Sequence, residues 1–281
     1  MGFLSNDQLV FIFGLLGNIV AVGMFLAPVP TFYTIFKRKS SEGFQSIPYS
    51  VALMSASLLL YYGILKTNAS LLISINSIGC AFEVTYLIIY LIYAPKQERM
   101  HTMKLLLIFN LGSFGSMLLV TMLLIKGSNQ LSVVGWICAV FSVAVCAAPL
   151  SVMRRVIRTK SVEYLPFTLS ASLTLNAVMW FFYGLLQHDY YIALPNVLGF
   201  LFGIAQMILY MVYKNPKNNG EEKEDQLAGN KEVEQMTNEN ESCSVDDPDK
   251  ETKISTCFCI GESNGVLTCP QITNGLTCGV F

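Results

Sequence analysis

Ala27-Pro28 followed by Lys37-Arg38-Lys39-Ser40-Ser41-Glu42 is a stretch that this chain writes a second time, as Ala148-Pro149 followed by Arg158-Thr159-Lys160-Ser161-Val162-Glu163. The two copies lie 121 residues apart. After them the loop shortens by three residues, so Pro48 pairs with Pro166. Register returns at Tyr62-Gly63 and Tyr183-Gly184, and an offset of 120 then aligns Asn76 and Gly79 with Asn196 and Gly199. Matches this numerous, in one order, mark an internal repeat.

A bilayer core of ~30 Å needs about 20 apolar residues of helix. Seven stretches qualify: 9–36, 47–66, 69–93, 104–125, 131–157, 167–186 and 190–213. Spans 1–3 carry the first copy and spans 5–7 the second. Three is odd, so two consecutive triple-helix units would insert in opposite directions, and one extra span restores the same direction for both. The expected fold is therefore an all-α membrane protein of seven transmembrane helices, two parallel triple-helix repeats joined by one linker helix. The expected boundaries are 1–96 for the first repeat, 97–128 for the linker, 129–214 for the second repeat and 215–281 for a disordered acidic tail. Span 4, from Leu105 to Ile125, carries little besides its inverting role.

Composition agrees. Of 281 residues 53% are hydrophobic and 13% charged, against roughly 25% charged in soluble domains, and the mean hydropathy is +0.51. An ordinary soluble fold is excluded. Thirteen of nineteen acidic residues lie between Glu221 and Glu262, so the net charge of -1 averages a basic apolar body and an acidic tail. Such a tail buries too little apolar surface to offset chain entropy. In the connections, Lys37, Arg38, Lys39, Lys96, Arg99, Lys104, Arg154, Arg155, Arg158, Lys160, Lys214 and Lys217 fall on one side, and only Lys66 and Lys126 on the other. Basic loops are cytoplasmic, which puts the N-terminus outside and the tail inside. His101 and His188 read as loop residues. Cys80, Cys138 and Cys146 lie in apolar runs as small hydrophobes. Cys243, Cys257, Cys259, Cys269 and Cys278 match no zinc spacing, and no cleaved signal is expected.

Polar groups inside a bilayer need partners. Asn76 and Asn196 hold equivalent places in spans 3 and 7. An amide offers two donors and two acceptor lone pairs, which suits the paired hydroxyls of a neutral polyol as well as it suits bonding between helices. Pro195 loosens the backbone just before Asn196. Trp180 lies one turn after Asn176 on the same face of span 6, where its ring offers a flat wall to sugar C–H groups. Glu83 is the one formal charge deep in a span and its mate is Gly203, so it stands outside any symmetric site; a protonated or hydrogen-bonded structural role is expected. No nucleophile–base pair, metal set or cofactor motif appears, so no enzyme, cofactor or metal is expected.

The run Pro28-Val29-Pro30-Thr31-Phe32, the loop Lys39 to Pro48 and Tyr61-Tyr62-Gly63, with Arg158 to Pro166, Trp180-Phe181-Phe182-Tyr183-Gly184 and Leu194-Pro195-Asn196-Val197, resemble the SWEET sugar transporter family over residues 9 to 213. Two parallel triple-helix repeats are that family's known arrangement. The sequence looks like the plant sucrose-carrying branch, with a nectary-type stretch from Asn176 to Gly184. The resemblance implies a bidirectional, low-affinity, uncoupled facilitator working by alternating access at the plasma membrane. Its partners would be a small neutral sugar, the lipid bilayer, and further copies of the chain or related transporters, not nucleic acid. It also implies substrate contacts at Asn76, Asn196, Trp180, Asn176, Ser55, Leu59, Met24 and Val145. Leu59 departs from the pattern, since many members have a second Trp there, and Ser55 is the mate of Asn176. Pro28, Pro48, Pro149 and Pro166 resemble the family's proline tetrad at an inner gate, and Tyr62, Tyr183 and Asp189 its outer gate. Two rivals share parts of this pattern: a seven-helix receptor, which requires no tandem repeat, and a proline–glutamine-loop proton-coupled organellar exporter, which calls for more titratable membrane residues.

Overall fold

The computed structural model describes residues 5–162 and 165–214. Readings that fall on Glu163 and on the tail 215–281 lie outside the described residues. Among the described residues all regular structure is helical. In chain order the helices are α1 (Asn6–Leu26), α2 (Val29–Arg38), α3 (Ile47–Leu65), α4 (Ser70–Tyr93), α5 (Lys96–Leu105), a π segment (Leu106–Ser113), α6 (Phe114–Leu124), α7 (Ser128–Val145), α8 (Ala147–Thr159), α9 (Phe167–Leu186) and α10 (Tyr190–Tyr213). They group into seven helical stretches long and apolar enough to cross a membrane.

The repeat is written into backbone geometry. α4 and α10 each contain 24 residues, from Ser70 and from Tyr190. Lys39 and Lys160 end α2 and α8 in the left-handed region, at φ 54° and 49°. Asn68 and His188, two residues before α4 and α10, turn there at φ 59° and 52°. Non-glycine residues rarely adopt that region, so four such residues at repeat offsets reflect one chain path used twice. Packing follows the same symmetry. α4 packs against both α1 and α3, and α10 against both α7 and α9; between the halves α1 meets α9, and α3 meets α7. Exchanging the halves exchanges those two contacts.

Spans 1 and 5 are each broken in two near Pro28 and Pro149, where a proline within a helix is expected to kink it. Pro28 has no N–H, so the Met24 carbonyl loses its i+4 donor. The Ala27 amide takes that place at 3.1 Å and tightens the turn. In span 5 the Cys146 amide reaches both Ser142 and Val143 carbonyls, at 3.3 and 3.1 Å, three residues before Pro149.

Two further readings are corrected. Lys96, Arg99, His101 and Lys104 are not in a loop but in α5, which begins directly after Pro95 and is built of good helix formers. Only Ala94 and Pro95 separate spans 3 and 4. The linker span is also more than an inverter. Ser46 and Thr102 hydroxyls share a hydrogen bond of 2.7 Å, the Asn110 amide donates to Ser50 at 2.6 Å, and Tyr61 and Thr121 hydroxyls meet at 2.9 Å. These bonds tie α5, the π segment and α6 to α3, while Ile108, Leu111, Leu123 and Leu124 on the opposite side are exposed.

Candidate functional site

Asn76 and Asn196 are each the seventh residue of their 24-residue helix. At 1.5 Å per residue that places both amides about 10 Å below the same end of the repeat. They are 4% and 5% exposed. Each Nδ2 donates back to the carbonyl four residues earlier, Leu72 and Ile192, at 2.8 Å in both cases. Among the described residues no hydrogen bond joins either amide to another helix. Each amide thus spends one N–H inside its own helix.

Around Asn196 the second repeat encloses a cavity of about 40 Å³, lined by Asn176, Asn196, Pro149, Cys146 and Gln206 among others. Its lining comes from the second repeat alone; Asn76, Ser55, Leu59 and Trp180 are not part of it. Ser55 is buried in α3 with its Oγ unpartnered, and Met24 is buried just before the span 1 break. Val145 ends α7 half-buried. Leu59 and Trp180 share one apolar cluster with Met54 and Tyr183.

Trp180 is 1% exposed and its indole N–H has no partner. A Cβ added at Gly17 would stand 3.0 Å from Nε1, so the backbone of α1 lies directly on the indole. Tyr183 packs edge-on to Trp180 at 5.1 Å and closes against Gly14. In this conformation the indole wall is therefore covered by α1.

Asp189 gathers side chains at the start of span 7. The Tyr62 hydroxyl donates to Asp189 Oδ2 at 2.8 Å, and Lys66 forms an ion pair with the same oxygen. The other oxygen accepts from the Tyr191 and Ile192 amides at 3.1 and 3.3 Å, capping α10. One carboxylate thus links span 2 to the start of span 7. Among the described residues Tyr183 makes no hydrogen bond to Asp189; it packs on Trp180. Lys66 is the member that the sequence reading missed. It is the extended residue just past the end of α3, its amide closing on the Tyr62 carbonyl at 3.1 Å. Next to these side chains a polar cavity of about 620 Å³ opens, lined by Asn6, Lys66, Asn68, Gln187 and His188.

Pro28 precedes α2, Pro48 and Pro149 lie in the first turns of α3 and α8, and Pro166 precedes α9. All four lie at the opposite end from Asp189. Among the described residues no group of three or more metal-capable side chains occurs.

The family model described as sugar efflux transporter for intercellular exchange matches residues 11–98 and again 132–218, once per repeat with the linker left out. The chain belongs to this family. It is 58% identical to the bidirectional sugar transporter SWEET9 of Arabidopsis thaliana, over 83% of this chain and 91% of that one. It is 60% identical to the bidirectional sugar transporter NEC1 of Petunia hybrida, over 80% and 84%. The solved structure of a eukaryotic SWEET transporter superposes with a TM-score of 0.71 at 35% identity, covering 74% of this chain and 98% of that one. As a SWEET family member the chain is a multi-pass membrane protein and not an enzyme.

Proposed function

We propose that this chain is a bidirectional, low-affinity, uncoupled sugar facilitator, for sucrose first and hexoses second, working by alternating access between its two triple-helix repeats. The relatives are named sugar transporters, which supports the carrier reading over a receptor or a proton-coupled exporter. The observation that carries the site is the pair of buried amides with identical back-bonds and no bond to another helix. Asn76 and Asn196 would grip the hydroxyls from both sides, with Asn176, Ser55, Trp180, Leu59, Met24 and Val145 around them. Tyr62, Tyr183 and Asp189, joined by Lys66, would close the outer end, and the four prolines would hinge the inner one. The division into 1–96, 97–128, 129–214 and 215–281 is part of the same reading. So is an oligomer in the plasma membrane with the N-terminus outside and the tail in the cytoplasm.

Lack of coupling follows from charge: within the spans Glu83 is the lone deep acid, and it lies off the symmetric site. The test is uptake of labelled sucrose, glucose and fructose in a transport-deficient cell, with and without a proton uncoupler. Equilibration to the outside concentration, untouched by the uncoupler, is expected. Accumulation above it that the uncoupler abolishes overturns the uncoupled reading and turns attention to Glu83.

A further inference from the structure

On the flank of the first repeat, α2 and α4 leave between them an apolar groove of about 460 Å³. Two helical stripes line it, with Val29, Tyr33 and Phe36 on one side and Phe82, Thr85 and Ile89 on the other. Its floor is the stack of Phe32 on Tyr86, ring centroids 4.4 Å apart. Of the three hydroxyls on its lining residues, Thr85 donates to the Ala81 carbonyl, Tyr86 donates to the Phe25 carbonyl, and Tyr33 is exposed. The rest of the lining is apolar side chain, so the groove takes hydrocarbon.

Its mouth is cationic. Lys39 Nζ lies 3.8 Å over the ring of Phe36, which lines the groove, and is held there by the Tyr93 hydroxyl at 3.1 Å. Lys37 and Arg38 precede it, both exposed, and none of the three pairs with a carboxylate among the described residues. A hydrocarbon slot that ends in unpaired cations has the chemistry of a lipid whose headgroup is an anion. The stripe differs in the second repeat: at the mates of Tyr33 and Phe36 it has Arg154 and Ile157, so a charge replaces one ring and an aliphatic side chain the other.

We propose that this groove binds one anionic glycerophospholipid, an acyl chain lying between α2 and α4 and the phosphate held by Lys39 with Lys37 and Arg38. A second copy of the chain fits less well, because a two-fold contact through this face would bring the same three cations together. α2 is the part of span 1 beyond the Pro28 break, so a chain wedged beside it favours the conformation in which the groove exists. The site stands apart from the identity of the transported sugar.

The test uses the full chain reconstituted in vesicles of equal phosphatidylcholine and phosphatidylserine, released, and weighed by native mass spectrometry. One phosphatidylserine retained in excess over phosphatidylcholine is expected. Lys39→Gln should lower that excess about fivefold, the ratio for ~1 kcal/mol per basic residue at an anionic surface. Ala81→Trp, which fills the groove, should remove the retained lipid from a protein that stays monodisperse. Should Ala81→Trp fail to fold, Tyr33→Arg at an exposed position replaces it and carries the same expectation. Equal retention of both lipids overturns the proposal, as does phosphatidylserine retention that neither variant alters. A dimer that the groove-filling variant dissociates, with no change in lipid, assigns the groove to a second copy and overturns it equally.

Discussion

α4 and α10 are the same helix built twice, and they differ in what they touch. Both run 24 residues, both place an asparagine seventh, and both send that amide back to the carbonyl four residues earlier. Beyond that they diverge. α10 begins at Asp189, whose carboxylate caps it; α4 begins after Ala69, with no side-chain cap. Where α4 has Gly79, a Cβ would meet Phe25 at 2.6 Å, whereas at Gly199 it would find Ala177 at an ordinary 3.4 Å. Farther along, α4 carries Glu83 and Tyr86, and α10 carries Gly203 and Gln206. Within these two helices the matched side chains lie at the amide level, and those nearer the ends are individual. A neutral ligand held at the centre needs matched hydrogen bonds from both sides, while gates need only open and close.

The largest effect tests the shared part. Asn76→Ala and Asn196→Ala should each abolish sugar transport while the protein still folds and reaches the membrane. An amide that makes two bonds to sugar hydroxyls forfeits roughly 0.5–1.5 kcal/mol for each, and the sugar hydroxyl left unpaired adds to the loss. Transport measured at equal surface abundance checks this. Loss of folded protein in proportion to activity would make the amides structural; normal transport from either variant would break the symmetry of the site.

Next comes the cap that α10 has and α4 lacks. Asp189→Asn keeps a good N-cap but removes the charge that Lys66 pairs with and Tyr62 donates to. Hydrogen bonds to charged groups contribute about 1.5–3 kcal/mol, so outer closure should weaken while α10 stays intact. The readout is thiol labelling from outside at Ser55→Cys, expected to speed up by tenfold or more. Unchanged labelling with a lower melting temperature would mean that Asp189 serves the helix and not the closure.

Repeat, span number and paired amides are all legible in the sequence, because identity at fixed offsets and apolar length survive without coordinates. Tyr62 and Asp189 are legible as a pair only through the family resemblance. Lys66 is not, since a single cation in a short loop gives no hint of the carboxylate it meets 123 residues later. The linker's Thr102, Asn110 and Thr121 escape for a related reason. They have no repeat mates, and three polar residues in an apolar span show no partner until α3 lies alongside. α5 is misread because Lys96 to Lys104 is too charged to pass as a membrane stretch, although nothing in it opposes a helix. The breaks in spans 1 and 5 follow from proline chemistry, but their position depends on which carbonyls find other donors.

Glycine contacts sharpen the comparison further. At Gly79→Ala overpacking of about 1–3 kcal/mol should outweigh a helix-propensity gain of about 0.8–1 kcal/mol, because Phe25 is backed by Phe82 in a stack at 6.0 Å and has little room to move. Gly199→Ala meets only ordinary contact and gains helix propensity, about 0.8–1 kcal/mol for replacing glycine by alanine, so its melting temperature should hold or rise. Thermal unfolding of the two purified variants side by side decides it; equal destabilisation would mean that the third helices are packed alike.

The smallest effect concerns the inner break of span 1. Pro28 interrupts the helix, and the Tyr86 hydroxyl on α4 donates to the Phe25 carbonyl at 2.6 Å, stitching the broken segment to the third helix. The mate of Tyr86 is Gln206, which lines the small cavity with Cys146 and Pro149 at the corresponding break. A ring stacked on Phe32 and bonded to backbone holds its break more firmly than an amide beside a void. Tyr86→Phe keeps the stack and deletes only the hydroxyl, so about 0.5–1.5 kcal/mol of stability should go, with the Phe25 carbonyl left without that donor. Since that bond holds the end of α1 against α4 just before the break, part of the loss should appear as faster exchange between inward and outward states, and transport should rise slightly or hold. Gln206→Leu, which fills space without donating, should change stability less and slow transport if the second repeat supplies the softer hinge. Equal responses of the two variants in melting temperature and flux would show that both breaks are held alike, and the asymmetry seen between α4 and α10 would then have no bearing on movement.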